Sequence, residues 1–150
     1  MSDLRDLYQE VILDHNRRPH NFRHMDEPDR VCEGFNPLCG DRLTLYLDLE
    51  GDTIRDVTFE GTGCAISRAS ASLMTDALKG KSLEDAERLF ERFHQLVTSA
   101  PDRPADTSGL GKLAVFAGVR EYPARIKCAT LSWHTMRTAL SGGKTTVSTE

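Results

Sequence analysis

The feature that most constrains the fold is a run of alternating leucines. Between residues 43 and 49 every second residue is leucine, and the residues between them are polar or aromatic. This period of two is typical of a β-strand with one buried face. A Glu-Gly-Asp turn at 50–52 is followed by a second stretch with strand character, residues 53–60. The sequence therefore predicts an antiparallel hairpin that presents one face to the core.

Helical patterns lie on both sides of this hairpin. Apolar residues recur there at intervals of three and four, which is the spacing of an amphipathic helix. The predicted helices cover residues 4–18, 64–78, 82–97, 109–119 and 123–140. A weaker strand pattern is present at residues 31–35. We therefore predict an α+β fold, in which helices pack on a small antiparallel sheet of about three strands.

The length of the chain fits one domain. A chain of 150 residues can bury a core of its own without cross-links. The sequence shows no composition boundary and no internal repeat, so residues 1–140 are expected to form a single domain. Residues 141–150, which are rich in serine, glycine and threonine, are expected to be a disordered tail.

Charge and hydropathy exclude two classes of partner. The formal net charge is −4 and the basic residues are scattered, which argues against nucleic-acid binding. No apolar run approaches the roughly 18 residues of a membrane span, and the first residues form an amphipathic pattern rather than a signal peptide. A cytoplasmic location is therefore expected. In that reducing compartment the four cysteines are expected as thiols or metal ligands rather than disulfides.

Three of the cysteines stand where a metal ligand is plausible on chemical grounds. Cys39 and Asp41 are two residues apart, so they point to the same side if the segment is extended. Cys64 opens a predicted helix, whose N-terminal N–H groups and dipole favour a thiolate. Cys128 directly follows a segment with two basic residues, Arg125 and Lys127, whose positive charges also favour a thiolate. Together these side chains can supply the four ligands of a tetrahedral zinc ion.

The residues alone leave a second interpretation open. The spacing lacks the close cysteine pairs of a zinc finger, so Cys64 and Cys128 can equally be small core residues, with 39–41 a simple turn. Cys32 is an alternative ligand to Asp41, but we expect a half-exposed strand cysteine there. His15 is expected to form a hydrogen bond at a helix end, and no histidine is assigned to the metal.

The cysteine segments resemble the three motifs of the IscU/NifU-N iron–sulfur cluster assembly family. In chain order they are Asn36-Pro37-Leu38-Cys39-Gly40-Asp41, Gly61-Thr62-Gly63-Cys64-Ala65-Ile66-Ser67 and Ala124-Arg125-Ile126-Lys127-Cys128-Ala129-Thr130-Leu131. Residues 8–15 with the following Pro19 resemble the N-terminal helix of the family. The similarity extends from about residue 4 to residue 140, and three motifs in the same order make it specific.

Within this family two features resemble the SufU-type branch. Cluster scaffolds carry a histidine directly before the last cysteine, and here that position is Lys127. They also carry a proline-rich chaperone-docking segment where this chain has residues 122–126. The stretch between Cys64 and Cys128 is also longer than in scaffolds, as in SufU-type proteins.

The resemblance implies a zinc-dependent sulfurtransferase. Such a protein accepts persulfide sulfur from a pyridoxal-phosphate-dependent cysteine desulfurase of the SufS type and relays it to downstream iron–sulfur assembly proteins. The zinc ligands implied are Cys39, Asp41, Cys64 and Cys128. Cys39 is also the implied sulfur acceptor, and Arg125 is a candidate to steady the negative charge or to contact the partner.

The sequence leaves two alternatives to the sulfurtransferase open. The same four ligands can hold a transient [2Fe–2S] cluster, which would make the protein an assembly scaffold. The other is a structural zinc module that only binds a partner. The first alternative predicts a brown protein that passes on a cluster, and the second predicts that no persulfide forms.

Overall fold

A computed structural model describes residues 2–37, 39–142 and 146–148. Along these residues the elements follow one another as α1 Ser2–Arg17, β1 Arg30–Asn36, β2 Asp41–Glu50, β3 Thr53–Thr62, α2 Ala65–Leu78, α3 Leu83–Thr98, a 3₁₀ helix Gly111–Glu121, α4 Pro123–Leu140 and β4 Thr146–Ser148. The described helices include none that is both long and apolar enough to cross a membrane. The order of elements confirms the predicted α+β class.

The sheet confirms the predicted hairpin and its three antiparallel strands. Its strand order is β3-β2-β1-β4, with β1 and β3 both antiparallel to the central β2. Leu45 lies opposite Phe59 in the β2–β3 pair, and both side chains are buried. The alternating leucines therefore face the core, as the period of two predicts.

The C-terminal segment differs in part from the expected disordered tail. Thr146–Ser148 form β4, which pairs in parallel with residues 33–35 of β1. The outer edge of β1 presents backbone N–H and C=O groups that a short extended segment can satisfy. A three-residue strand has no periodicity for the sequence to reveal. The remaining residues of the predicted tail after Gly142, which are 143–145 and 149–150, lie outside the described residues.

Helix α4 joins the helical layer to the sheet and to α2. Its Trp133 is fully buried, stacks on Phe93 of α3 with ring centroids 4.4 Å apart, and donates its indole N–H to Ser70 of α2. The Ser70 hydroxyl in turn donates to the carbonyl of Ala129 at 2.5 Å. Serine and alanine at these positions let α2 and α4 approach closely. This contact fixes the separation between the start of α2 and the start of α4.

The contact between β1 and α4 depends on Gly34. A Cβ atom at this position would overlap Thr135 Oγ1 and would lie 3.1 Å from Leu131 Cδ1. We expect Gly34→Ala to lower the free energy of unfolding by about 1–3 kcal/mol, the usual cost of overpacking a core. Urea unfolding of the metal-free protein measures this change.

Gly118 provides the matched control for that substitution. No atom lies within 4 Å of a Cβ built on Gly118. Gly118→Ala is therefore expected to change the free energy of unfolding by well under about 1 kcal/mol. Equal losses in the two variants would show that the contact between β1 and α4 is not tight.

Candidate metal centre

The turn between β1 and β2 positions Cys39 and Asp41. Asn36 pairs with Asp41 across the turn, and the Gly40 N–H donates to the Asn36 carbonyl at 2.8 Å. Gly40 has φ 73°, a left-handed conformation that glycine adopts without strain. Cys39 is therefore exposed at the turn, whereas Asp41 begins β2 and is fully buried. The two residues therefore come together through a turn, which is the alternative that the sequence left open for residues 39–41.

The junction between β3 and α2 brings Cys64 to the Asp41 carboxylate. Cys64 is the N-cap of α2, and its Sγ accepts the N–H of Ser67 at 3.4 Å. Its own N–H donates to Asp41 Oδ1 at 2.9 Å, and its Sγ lies 3.8 Å from Asp41 Oδ2. A Cβ atom on the preceding Gly63 would lie 2.7 Å from Asp41 Oδ1. Glycine at this position therefore lets the backbone approach the carboxylate.

Helix α4 contributes Cys128 from its second turn. The side chain is buried, and its Sγ lies 3.2 Å from Cys39 Sγ. The two cysteines are not joined by a disulfide. The amide of Asn36, which is also fully buried, donates to Cys128 Sγ at 3.7 Å. Cys128 is therefore held between the β1–β2 turn and α4.

The structure gathers three of the four predicted ligands into one group. One ligand atom each from Cys39, Asp41 and Cys128 lies within 4.8 Å of the others. Cys64 is not in that group, although its Sγ is 3.8 Å from Asp41 Oδ2. Two sulfur ligands of one tetrahedral zinc ion are about 3.8 Å apart when each Zn–S distance is about 2.3 Å. The observed separations are thus close to those that a shared zinc ion requires.

The electrostatic environment of Cys128 disfavours an additional negative charge. Burial raises the pKa of the Cys128 thiol well above its usual value. Hydrogen bonds with Cys39 and Asp41 and the negative charges of Cys64 and Asp41 raise this pKa further. A cation bound among these groups would act in the opposite sense and favour the Cys128 thiolate.

Arg125 lies on the surface, one helical turn before Cys128. It is exposed in the first turn of α4, and its guanidinium carbon lies 4.8 Å from the ring centroid of half-exposed Tyr122. Arg125 and Cys128 are three residues apart on the helix, so they share one side of it. An exposed cation therefore lies on the side of α4 that carries Cys128.

The fourth cysteine lies elsewhere. Cys32 is buried in the apolar core, so the prediction of a half-exposed cysteine is wrong. It stands four residues before Asn36 in β1, about 13 Å along the strand from the turn. Its side chain faces inward together with Gly34 and Asn36, because alternate residues of β1 are buried. This separation favours Asp41 over Cys32 as a member of the cluster.

Two further residues contact the centre, and the sequence analysis assigned no role to either of them. Asn36 contributes the buried amide that contacts Cys128, and Gly63 leaves the space that the Asp41 carboxylate occupies. Both belong to the motif segments, but a motif does not tell which of its members touch each other. The sequence signals available were an asparagine directly after a predicted strand and a glycine directly before a cysteine.

Comparison with known sequences identifies the family. The NifU-like N terminal domain matches residues 7–129. The zinc-dependent sulfurtransferase SufU of Bacillus subtilis (strain 168) is 43% identical over 132 residues, which are 88% of each chain. The iron-sulfur cluster assembly scaffold protein IscU of Streptococcus pyogenes serotype M1 is 41% identical over 140 residues, covering 93% of this chain and 86% of the relative.

Solved structures agree with this family. A putative iron-sulfur cluster assembly scaffold protein for the SUF system from Fervidobacterium islandicum AW-1 is 36% identical, with a TM-score of 0.81 over 87% of this chain and 94% of that one. A NifU-like protein (N-terminal) from Brucella abortus shares the fold, with 23% identity and a TM-score of 0.80 over 92% of this chain and 94% of that one. The chain therefore belongs to the NifU-like N terminal domain family, together with relatives named SufU and IscU.

Proposed function

We propose that this chain is a zinc-dependent sulfurtransferase of iron–sulfur cluster biogenesis, which accepts sulfur from a pyridoxal-phosphate-dependent cysteine desulfurase of the SufS type. One observation carries the proposal. Cys39 is an exposed thiol at the rim of a donor cluster whose other close members, Asp41 and Cys128, are buried. A partner can therefore reach the sulfur of Cys39 more readily than that of Cys64, which is partly buried, or that of Cys128, which is buried.

The donor set fits a zinc ion. Three sulfurs and one carboxylate, from Cys39, Cys64, Cys128 and Asp41, suit a borderline-soft ion with four ligands. Asp41 is fully buried, and no lysine or arginine within the described ranges forms an ion pair with it. A buried carboxylate without a cation is costly, and a divalent ion removes that cost. Zinc held by these residues would keep the thiols deprotonated and shielded from oxidation.

The sulfur transfer itself needs only thiol chemistry. The Cys39 thiolate attacks the terminal sulfur of the persulfide on the desulfurase. A new S–S bond forms at Cys39 as the S–S bond of the partner breaks, and the partner cysteine leaves as a thiolate. The proton of the original persulfide stays on the transferred sulfur atom. No external oxidant or reductant is needed. The chain then carries a Cys39 persulfide for a downstream acceptor of the assembly pathway.

Arg125 is proposed to assist this transfer. The guanidinium is permanently charged and lies on the side of α4 that carries Cys128. A cation beside the cluster lowers the energy of the negative charge that moves between the two sulfurs. The same position allows Arg125 to contact the desulfurase, whose approach to Cys39 must bring it close to this helix.

An assembly scaffold with a transient [2Fe–2S] cluster on the same ligands is the second candidate. Relatives named IscU, which are iron–sulfur cluster assembly scaffold proteins by that name, favour it. The residue before Cys128 favours the sulfurtransferase, because Lys127 has no imidazole that could bind a cluster.

Metal analysis of the purified protein separates the two candidates. A zinc-dependent sulfurtransferase is expected to be colourless and to contain one tightly bound zinc per chain. Iron and acid-labile sulfide in equal amounts, visible charge-transfer absorption and transfer of a cluster to an apo-protein would instead establish the scaffold. Both analyses use protein purified without oxygen, so that a cluster is not lost before the measurement.

A further inference from the structure

A second cluster of metal-ligating side chains lies where the end of α1 meets α2. His15 is in the last turn of α1, His20 follows that helix, and Asp76 is in the last turns of α2. One ligand atom from each lies within 4.8 Å of the others. Asp76 is twelve residues beyond Cys64, about 18 Å along the helix axis. This cluster is therefore separate from the cysteine centre.

Hydrogen bonds from neighbouring residues hold these three side chains in place. His15 Nδ1 lies 2.7 Å from the hydroxyl of Ser72, which also accepts the backbone N–H of His20 at 2.7 Å. When His15 Nδ1 carries the proton and donates it to this fully buried hydroxyl, the lone pair of Nε2 is available to a metal ion. Asn21 donates to Asp76 Oδ1 at 3.1 Å, which fixes the orientation of the carboxylate. Such outer partners are typical of metal-binding histidines and carboxylates.

A simple ion pair explains only part of this arrangement. His20 Nδ1 and Asp76 Oδ2 are 2.5 Å apart, and their side chains are 50% and 43% exposed. An exposed pair of this kind contributes little to stability. It also does not require His15, whose ring centroid lies 4.4 Å from that of His20. The convergence of two imidazoles on one carboxylate is what a metal site requires.

We propose that His15, His20 and Asp76 form a second metal site, which binds a divalent first-row transition metal such as zinc or iron(II). Two imidazoles and one carboxylate suit these ions, whereas magnesium and calcium prefer oxygen ligands alone. Three protein ligands leave further coordination positions open to water or to another molecule. A bound ion links the end of α1 to α2 and so stabilises that junction. This inference does not depend on the function proposed for the cysteine centre.

Cobalt(II) titration of the full chain tests the proposal, because it reports the two sites separately. Cobalt bound by thiolates gives an intense sulfur-to-metal charge-transfer band, whereas cobalt bound by nitrogen and oxygen gives weak d–d bands alone. Protein already loaded with one equivalent of zinc is expected to bind one further equivalent of cobalt without a charge-transfer band. His20→Asn and Asp76→Asn are each expected to weaken this second binding at least tenfold. Both side chains are about half exposed, so neither substitution is expected to disturb folding.

His94→Asn is the matched control, because His94 lies on α3 and stacks on Phe90. Its second equivalent of cobalt is expected to bind as in the unaltered chain. Added zinc, or iron(II) without oxygen, is expected to displace that cobalt, whereas the same concentration of magnesium is not. Thermal unfolding provides an independent readout: the second equivalent raises Tm in the unaltered chain and leaves it unchanged in His20→Asn.

Three results would overturn the second site. They are the absence of a second equivalent, a second equivalent that both His20→Asn and Asp76→Asn retain, and displacement of cobalt by magnesium. The charge-transfer band of cobalt bound to thiolates tests the cysteine centre separately. If unloaded protein shows no charge-transfer band while the d–d bands appear and vanish in His20→Asn, the proposed zinc-dependent function fails and the second site stands.

Discussion

Cys39→Ala is expected to abolish the stimulation of a cysteine desulfurase by this protein and to leave its fold intact. Cys39 is the exposed member of the cysteine centre, so its thiol is the one that a partner can approach. Its side chain is in a turn outside the apolar core, and its loss costs little stability. The desulfurase is incubated with cysteine, with and without the protein, and alanine formation is measured. With Cys39→Ala the rate should equal that of the desulfurase alone.

Mass spectrometry of the protein after turnover gives the second readout for this variant. The unaltered chain is expected to gain the mass of one sulfur atom on the peptide that contains Cys39, and Cys39→Ala is expected to gain none. Cys32→Ala is the matched control, because it removes a thiol from the apolar core without burying a hydroxyl there. Full stimulation by Cys39→Ala, or a persulfide on another cysteine, would assign the acceptor role elsewhere.

Sequence periodicity was sufficient for the central part of the fold. The leucines of β2 alternate without interruption, so both their strand and their inward direction could be predicted. In β1 the signal is weaker because Gly34 occupies an inward position, where Thr135 of α4 takes the space of a side chain. Because glycine interrupts the apolar pattern of β1, the sequence did not indicate that Cys32 is buried. The pattern of one strand cannot show which helix packs against it.

The cysteine centre was predicted from motifs rather than from geometry. Cys64 reaches Asp41 because β3 pairs with β2, whereas Cys128 approaches Cys39 only because α4 packs against α2. That packing depends on Ser70 and Ala129, which no spacing rule connects with a ligand. Three motifs in order therefore identified the residues, while the separations between them required the structure.

The histidine cluster shows the same limit more strongly. His15 was expected to form a hydrogen bond at a helix end, and its contact with Ser72 confirms this. The contact between His20 and Asp76 could not be predicted, because the two residues are 56 positions apart in the sequence. A polar residue near the end of one helix carries no information about which other helix lies beside it. The positions of α1 and α2 relative to each other decide that contact.

Removal of the Asp41 carboxylate is expected to have the largest effect on metal binding. Asp41→Ala should weaken zinc binding by more than the ~10–100-fold that loss of an outer-shell partner costs. It should also destabilise the metal-free protein by about 1–3 kcal/mol, because the N–H of Cys64 loses its acceptor. Zinc affinity is measured by competition with a chromophoric chelator, and stability by urea unfolding.

Asp41→Asn separates the two roles of this side chain. The amide oxygen of asparagine can still accept the Cys64 N–H, which donates to Asp41 Oδ1 at 2.9 Å, so the metal-free protein should regain most of its stability. The negative charge is absent, and zinc binding should therefore stay weak. Cys32→Ala is expected to keep its zinc, because Cys32 lies in the core about 13 Å along β1 from the turn. If Cys32→Ala lost zinc while both Asp41 variants kept it, Cys32 would replace Asp41 in the ligand set, and the buried carboxylate would have only a structural role.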